Sequence, residues 1–171
     1  MIQSKFLMDF NIKSEKQILI QKEKKLDFEN FVNGLFRTES FKTKALKREI
    51  GQAAKNVAGY QSYPDLLVRF TENEKSIMFA VKCKWSPKLL PSQSWKSPGK
   101  IQKLLLFEVE TQMPMFVVLG FGGTPTNPEQ IFLAPLKKLE NCMVKLSYLL
   151  NFKRQTPEKE FVFDPDRMVL K

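Results

Sequence analysis

The sequence predicts a single α/β domain, with helices packed on a mixed β-sheet. Three observations carry this. Residues from Asp27 onward have the periodicity of an amphipathic helix. Residues 66–85 read as a strand hairpin. Phe116-Val117-Val118-Leu119 is a continuously apolar strand, reached through a helical segment at 100–112. The order is helices, hairpin, helix, strand, strand, helix, which is not the alternation of a doubly wound fold. At 171 residues and 43% apolar content, the chain can bury one substantial core.

Residues 1–20 are weakly patterned. Gln17-Ile18-Leu19-Ile20 reads equally as a short strand or the start of a helix. Residues 1–26 are therefore taken as an N-terminal segment packing on the core, and 27–171 as the domain itself. Asp27 is a candidate N-cap. Phe28, Phe31, Val32, Leu35 and Phe36 follow at i, i+3, i+4, i+7 and i+8 of one helix face. A second helix is expected over 40–56, with Phe41, Ala45, Leu46, Ile50, Ala53, Ala54 and Val57 apolar, before Gly59 and Pro64 punctuate a loop. Residues 66–70 and 76–85 are strands around the polar turn Glu72-Asn73-Glu74-Lys75. Pro87, Pro91, Pro98 and Gly99 mark 86–99 as a loop. The helix at 100–112 sets Ile101, Leu104, Leu105 and Val109 on one side, and Pro114 ends it. A strand at 115–119, a turn at 120–128 and a strand at 131–133 come next. A helix over 136–152 and a strand at 161–163 complete the chain.

Composition narrows the function. Lys and Arg number 28 against 18 Asp and Glu, a net charge of +10, which favours polyanionic partners and nucleic acid first. There is no histidine. That excludes a Ser-His-Asp or Cys-His relay, a His general base and a His-ligated metal. Cys83 and Cys142 alone make neither a zinc finger nor a disulfide framework, and suit a reducing cytoplasm. No long apolar stretch is present, and Lys5 and Asp9 interrupt the first residues, so neither a membrane span nor a signal peptide is expected. Between Glu74 and Glu108 there is no acid, but seven lysines and both tryptophans, Trp85 and Trp95. Gly120-Phe121-Gly122-Gly123-Thr124 lacks the Gly-Lys-Ser/Thr ending of a phosphate loop and reads as a strand-end turn.

The chemistry concentrates in Tyr63-Pro64-Asp65 and, across the hairpin, Phe79-Ala80-Val81-Lys82-Cys83-Lys84-Trp85. Residues i and i+2 of a strand face the same way, so Lys82 and Lys84 project together and hairpin pairing can bring Asp65 to them. This resembles the PD-(D/E)xK nuclease superfamily, in which Pro-Asp opens one strand and an acid-x-Lys motif ends the next. The resemblance spans residues 27 to about 135. It implies a restriction-endonuclease-like α/β/α sandwich around a central mixed β-sheet, and DNA as partner. It also implies Mg²⁺- or Mn²⁺-dependent phosphodiester hydrolysis. Asp65 and the Cys83 carbonyl would hold the ion, with Glu29 from the Phe28-Glu29 helix as an outer ligand and Lys84 as the catalytic lysine. Gln102, on the next helix, would meet the phosphate. Glu49 is the alternative helix acid. Lys88, Lys96, Lys100 and Lys103 would track the DNA backbone. A homodimer is compatible, because double-strand cutting needs two sites.

One position departs from the pattern. Lys82 stands where the second carboxylate is expected. Mg²⁺ wants oxygen ligands. A lysine about 4 Å from a divalent ion is repelled by roughly 8 kcal/mol at an effective dielectric of about 20. The resemblance therefore implies a metal-dependent deoxyribonuclease whose metal site is weakened or lost. The alternatives are a ligand supplied from elsewhere, with Glu108 the nearest downstream acid, and a catalytically inactive DNA-binding module on a nuclease fold.

Overall fold

The computed structural model describes the backbone of residues 2–46 and 63–171, and the side chains of residues 14–46 and 63–171. A long helix α1 (Ile2–Asn33) leads into strand β1 (Phe41–Ala45). The hairpin is β2 (Leu66–Glu72) and β3 (Lys75–Ser86). Short β4 (Ser92–Ser94) and helix α2 (Pro98–Thr111) then cross over to β5 (Met115–Phe121), which turns into β6 (Gln130–Pro135). The last third holds β7 (Met143–Lys145), the single-turn helix α3 (Leu146–Leu149), β8 (Phe163–Asp164) and β9 (Val169–Leu170).

The central sheet has five strands in the order β1-β2-β3-β5-β6. Only the β3–β5 pair is parallel, so the sheet is mixed. β5 is buried on both faces, and its alternate side chains divide the core. Phe116 and Val118 join Phe28 and Val32 of α1 and Leu35 just beyond it, with Phe161 and Phe163, on one face. Val117 and Leu119 join Ile101 and Leu104 of α2, with Trp95, on the other. This is the α/β/α sandwich around a central mixed sheet that the sequence predicts. Among the described residues, no helix is long and apolar enough to cross a membrane.

Several boundaries differ from expectation. α1 starts at Ile2, so Asp27 lies inside it and is not a cap. From Glu15 to Lys25 the chain is Lys, Gln, Glu, Leu and Ile without Gly or Pro, good helix formers that need no apolar stripe. Ile18, Leu19 and Ile20 are exposed on it. Residues 41–45 form β1 where a helix was expected. Phe41-Lys42-Thr43-Lys44-Ala45 alternates at period two, and Phe41 packs across the strands on Phe70 in a tilted ring pair with centroids 5.2 Å apart. Residues 47–56 of that expected helix, Glu49 included, lie outside the described residues, as does Gly59. In α2 only Ile101 and Leu104 are buried, while Val109 is 70% exposed. The expected loop at 86–99 contains β4, which pairs with β7. The expected helix over 136–152 breaks into a 3₁₀ turn, β7, α3 and a second 3₁₀ turn. There Trp95 is buried and its Nε1 donates to the Leu139 and Asn141 carbonyls, both at 3.0 Å, holding the chain out of helical geometry.

The β2–β3 turn is the shortest possible. Glu72 pairs with Lys75, and Asn73 and Glu74 have φ of 48° and 67°. Two central residues with positive φ match the right-handed twist of the flanking strands. This tight turn fixes the register that faces Asp65 with Lys82.

Candidate nucleic-acid interface

The Asp65 N–H donates to the Val81 carbonyl at 2.8 Å, which continues the β2–β3 ladder one residue past the Leu66–Val81 pair. Asp65 therefore stands opposite Lys82. Its carboxylate is buried. Oδ1 accepts from Lys82 Nζ at 2.9 Å and from Lys25 Nζ at 2.8 Å, and Oδ2 accepts from the Cys83 N–H at 2.8 Å. The Lys82 side chain is only 3% exposed, and its Nζ also donates to the Tyr63 carbonyl at 2.9 Å. Lys25 reaches down from α1 and also donates to Glu29, one turn along the same helix. Glu29 is buried. α1 and the end of the sheet are thus joined through alternating charges, Glu29, Lys25, Asp65 and Lys82.

Above this cluster lies a cleft of roughly 450 Å³. Lys24, Lys25, Lys82, Lys84, Lys96 and Lys100 line it, and Phe28, Trp85 and Trp95 supply its apolar wall. Lys84 Nζ donates to the Ser94 carbonyl at 2.8 Å, tying the end of β3 to β4. Lys24 Nζ stands 5.9 Å from the Trp85 ring centre, and Trp85 Nε1 donates to the Gly122 carbonyl at 3.1 Å.

The electrostatics follow from burial and neighbours. Burial alone would lower the Lys25 pKa. The charges of Asp65 and Glu29, and hydrogen bonds to both, outweigh it and raise the pKa. Burial lowers the pKa of Lys84. Lys96 is pushed down to about 7, by burial first and then by repulsion from Lys82, against the attraction of Asp65. Burial and the nearby charges of Asp65 and Glu29 raise the Cys83 thiol well above its usual range, so it is a packed side chain and not a nucleophile.

The structure brings Asp65, Lys82 and Glu29 together, with Lys84, Lys96 and Lys100 in the cleft wall. It does not bring in Gln102 and Lys103, exposed on α2, or Lys88, exposed after β3. Their spacing reads well in sequence, but α2 turns Ile101 and Leu104 inward and leaves 102 and 103 outside. Cys83 meets Asp65 through its N–H. Glu108 accepts the Met115 N–H at 3.1 Å, bracing α2 against β5. Lys24 and Lys25 were missed. The signal was available: Lys25, Phe28, Glu29 and Val32 sit at i, i+3, i+4 and i+7, a charged and apolar stripe on one helix face.

These residues do not fit a divalent cation. Asp65 Oδ1 accepts two ammonium groups, and Oδ2 accepts a backbone N–H. Among the described residues no cluster of three or more metal-ligating side chains occurs. A divalent ion would have to displace Lys82, whose charge would repel it.

No family model and no curated protein matches the chain. Among solved structures, the chain is similar to Hjc, a Holliday junction resolvase from the archaeal hyperthermophile Archaeoglobus fulgidus. The identity is 14% and the TM-score 0.44, over 70% of this chain and 84% of that one.

Proposed function

We propose that the chain is a DNA-binding domain on a nuclease-type scaffold, in which metal-dependent phosphodiester hydrolysis is impaired by Lys82. The observation that carries the reading is the Lys82–Asp65 contact at 2.9 Å beneath a cleft lined by six lysines. A cleft walled by one sign of charge concentrates anions. Lys24, Lys84, Lys96 and Lys100 are the groups to meet phosphate oxygens. Such contacts hold a backbone in register without reading bases. Trp85, half-buried at the cleft wall, offers apolar surface to the sugar or to an unstacked base. Asp65, in this reading, anchors lysines.

A second reading has support of its own. Lys84 lies two residues from Lys82 on the same strand, and Asp65 and Glu29 converge on one point through Lys25. That is the framework of a hydrolytic site with one ligand changed. Purified protein should therefore bind duplex DNA in EDTA and cleave it poorly in Mg²⁺ or Mn²⁺. Lys82→Glu should raise cleavage by about a hundred-fold or more, and adding Asp65→Ala should abolish the gain. Lack of DNA binding by the folded protein sinks the DNA-binding reading. Lack of cleavage by folded Lys82→Glu, on any DNA or RNA form, sinks the nuclease ancestry.

A further inference from the structure

We infer that Lys82 is the resident cation of this site, standing in for a divalent metal ion, so that the cleft holds phosphodiester groups without one. The second half of this inference rests on the DNA-binding reading above. The first half rests on the nuclease-scaffold reading for the expected carboxylate and metal, and on the Lys82 contacts for its geometry.

The Lys82 ammonium is coordinated by oxygens as an ion would be, with Asp65 Oδ1 and the Tyr63 carbonyl both at 2.9 Å. The charge count agrees. A carboxylate at position 82 together with a divalent ion would bring one net positive charge to the cluster. Lys82 alone brings the same charge, so the exchange leaves the electrostatic balance around Asp65 and Glu29 intact. Burial then makes the exchange lasting. The Lys82 side chain is 3% exposed, and withdrawing it would strip a fully buried Asp65 of a charge partner. Removing one member of a buried pair is strongly unfavourable. Lys25 differs, because its side chain is 41% exposed and can swing to solvent while remaining hydrated. Lys82 is therefore the fixed cation and Lys25 the exchangeable one. A chelator can remove a bound metal but cannot remove Lys82.

The test uses Mn²⁺ and the full chain, without nucleic acid, so that its outcome is independent of DNA binding. Mn²⁺ titrated into the wild-type protein, followed by electron paramagnetic resonance and thermal shift, should show no saturable site that depends on Asp65. Lys82→Glu and Lys82→Asp should each gain one. That gain should appear as a melting shift of about 5–10 °C at roughly hundred-fold excess over Kd, and Asp65→Asn should remove it. A wild-type Mn²⁺ site lost on Asp65→Asn overturns the inference, as does a folded Lys82→Glu or Lys82→Asp that gains no site. A separate arm compares wild-type DNA affinity in EDTA and in Mg²⁺. Equal affinity is expected, and affinity that requires the ion overturns the metal-free claim. Absence of DNA binding in both conditions overturns the functional reading and leaves the Mn²⁺ result to stand by itself.

Discussion

Lys96 sits half-buried in the cleft wall with a pKa near 7, set by burial, by Lys82, Lys25 and Lys100 as repelling cations, and by Asp65 as the attracting anion. Its charge is available to a phosphate below that pH and is lost above it. DNA affinity should therefore fall by about tenfold, the weight of one charge-assisted hydrogen bond, as pH rises from about 6 to about 8. Lys96→Arg keeps its charge throughout and should bind tightly with little slope. Lys96→Ala should bind weakly with little slope. A titration in which wild type and Lys96→Ala share one slope would remove Lys96 from the interface. Folding responds in the opposite sense. The unfolded chain keeps this proton up to about pH 10, so it binds more protons than the native state between about 7 and 10, and the Lys96 contribution to stability rises with pH there. Asp65, Lys82 and Lys84 were legible in sequence because two local rules, strand alternation and hairpin pairing, place them together. Lys25 was not, because what brings it to Asp65 is the packing of a helix forty residues away in sequence.

α1 approaches the sheet most tightly where Phe28 lies over Gly120. A Cβ on Gly120 of β5 would lie 2.4 Å from Phe28 Cε2 and 2.6 Å from Phe28 Cζ. Phe28 is 1% exposed and cannot retreat without lifting α1 off the sheet. Gly120→Ala should therefore destabilise the fold by about 1–3 kcal/mol, measured as a lower denaturant midpoint at unchanged m-value. Phe28→Leu in the same background should recover part of the loss, since it vacates the clashing ring atoms. If Gly120→Ala matches wild type, the helix does not bear on β5 as described. The consequence reaches the cleft, because Lys24, Lys25 and Glu29 flank Phe28 on the same helix. The same element shows where sequence reading ends. Residues 28–33 announce themselves because they must cover a sheet. Residues 14–22 make an equally regular helix that carries no amphipathic signal. β1 was hidden for a related reason: the spacing of Phe41, Ala45 and Leu46 fits a helix as well as a strand, and only the partner strand β2 decides between them.

A net charge of +10 points to a polyanion but not to a place for it. The fold supplies the place by bringing lysines from α1, β3 and the β4–α2 segment to one cleft, while Asp65 and Glu29, the acids beneath it, are already engaged by lysines. Binding should then be dominated by counterion release. If Lys24, Lys84, Lys96 and Lys100 each neutralise one phosphate, the plot of log affinity against log salt has a slope of about −3 to −4. Affinity for duplex DNA should accordingly fall about a hundred-fold between roughly 50 and 200 mM salt. Duplexes of unrelated sequence should behave alike, because backbone contacts carry no base information. Lys24→Ala and Lys100→Ala should each reduce the slope by about one. Lys103→Ala, on the exposed side of α2, should leave it unchanged. A flat salt response, or a slope that Lys103 controls and Lys24 does not, would move the partner away from this cleft. It would leave a basic α/β domain whose role is contact with other proteins.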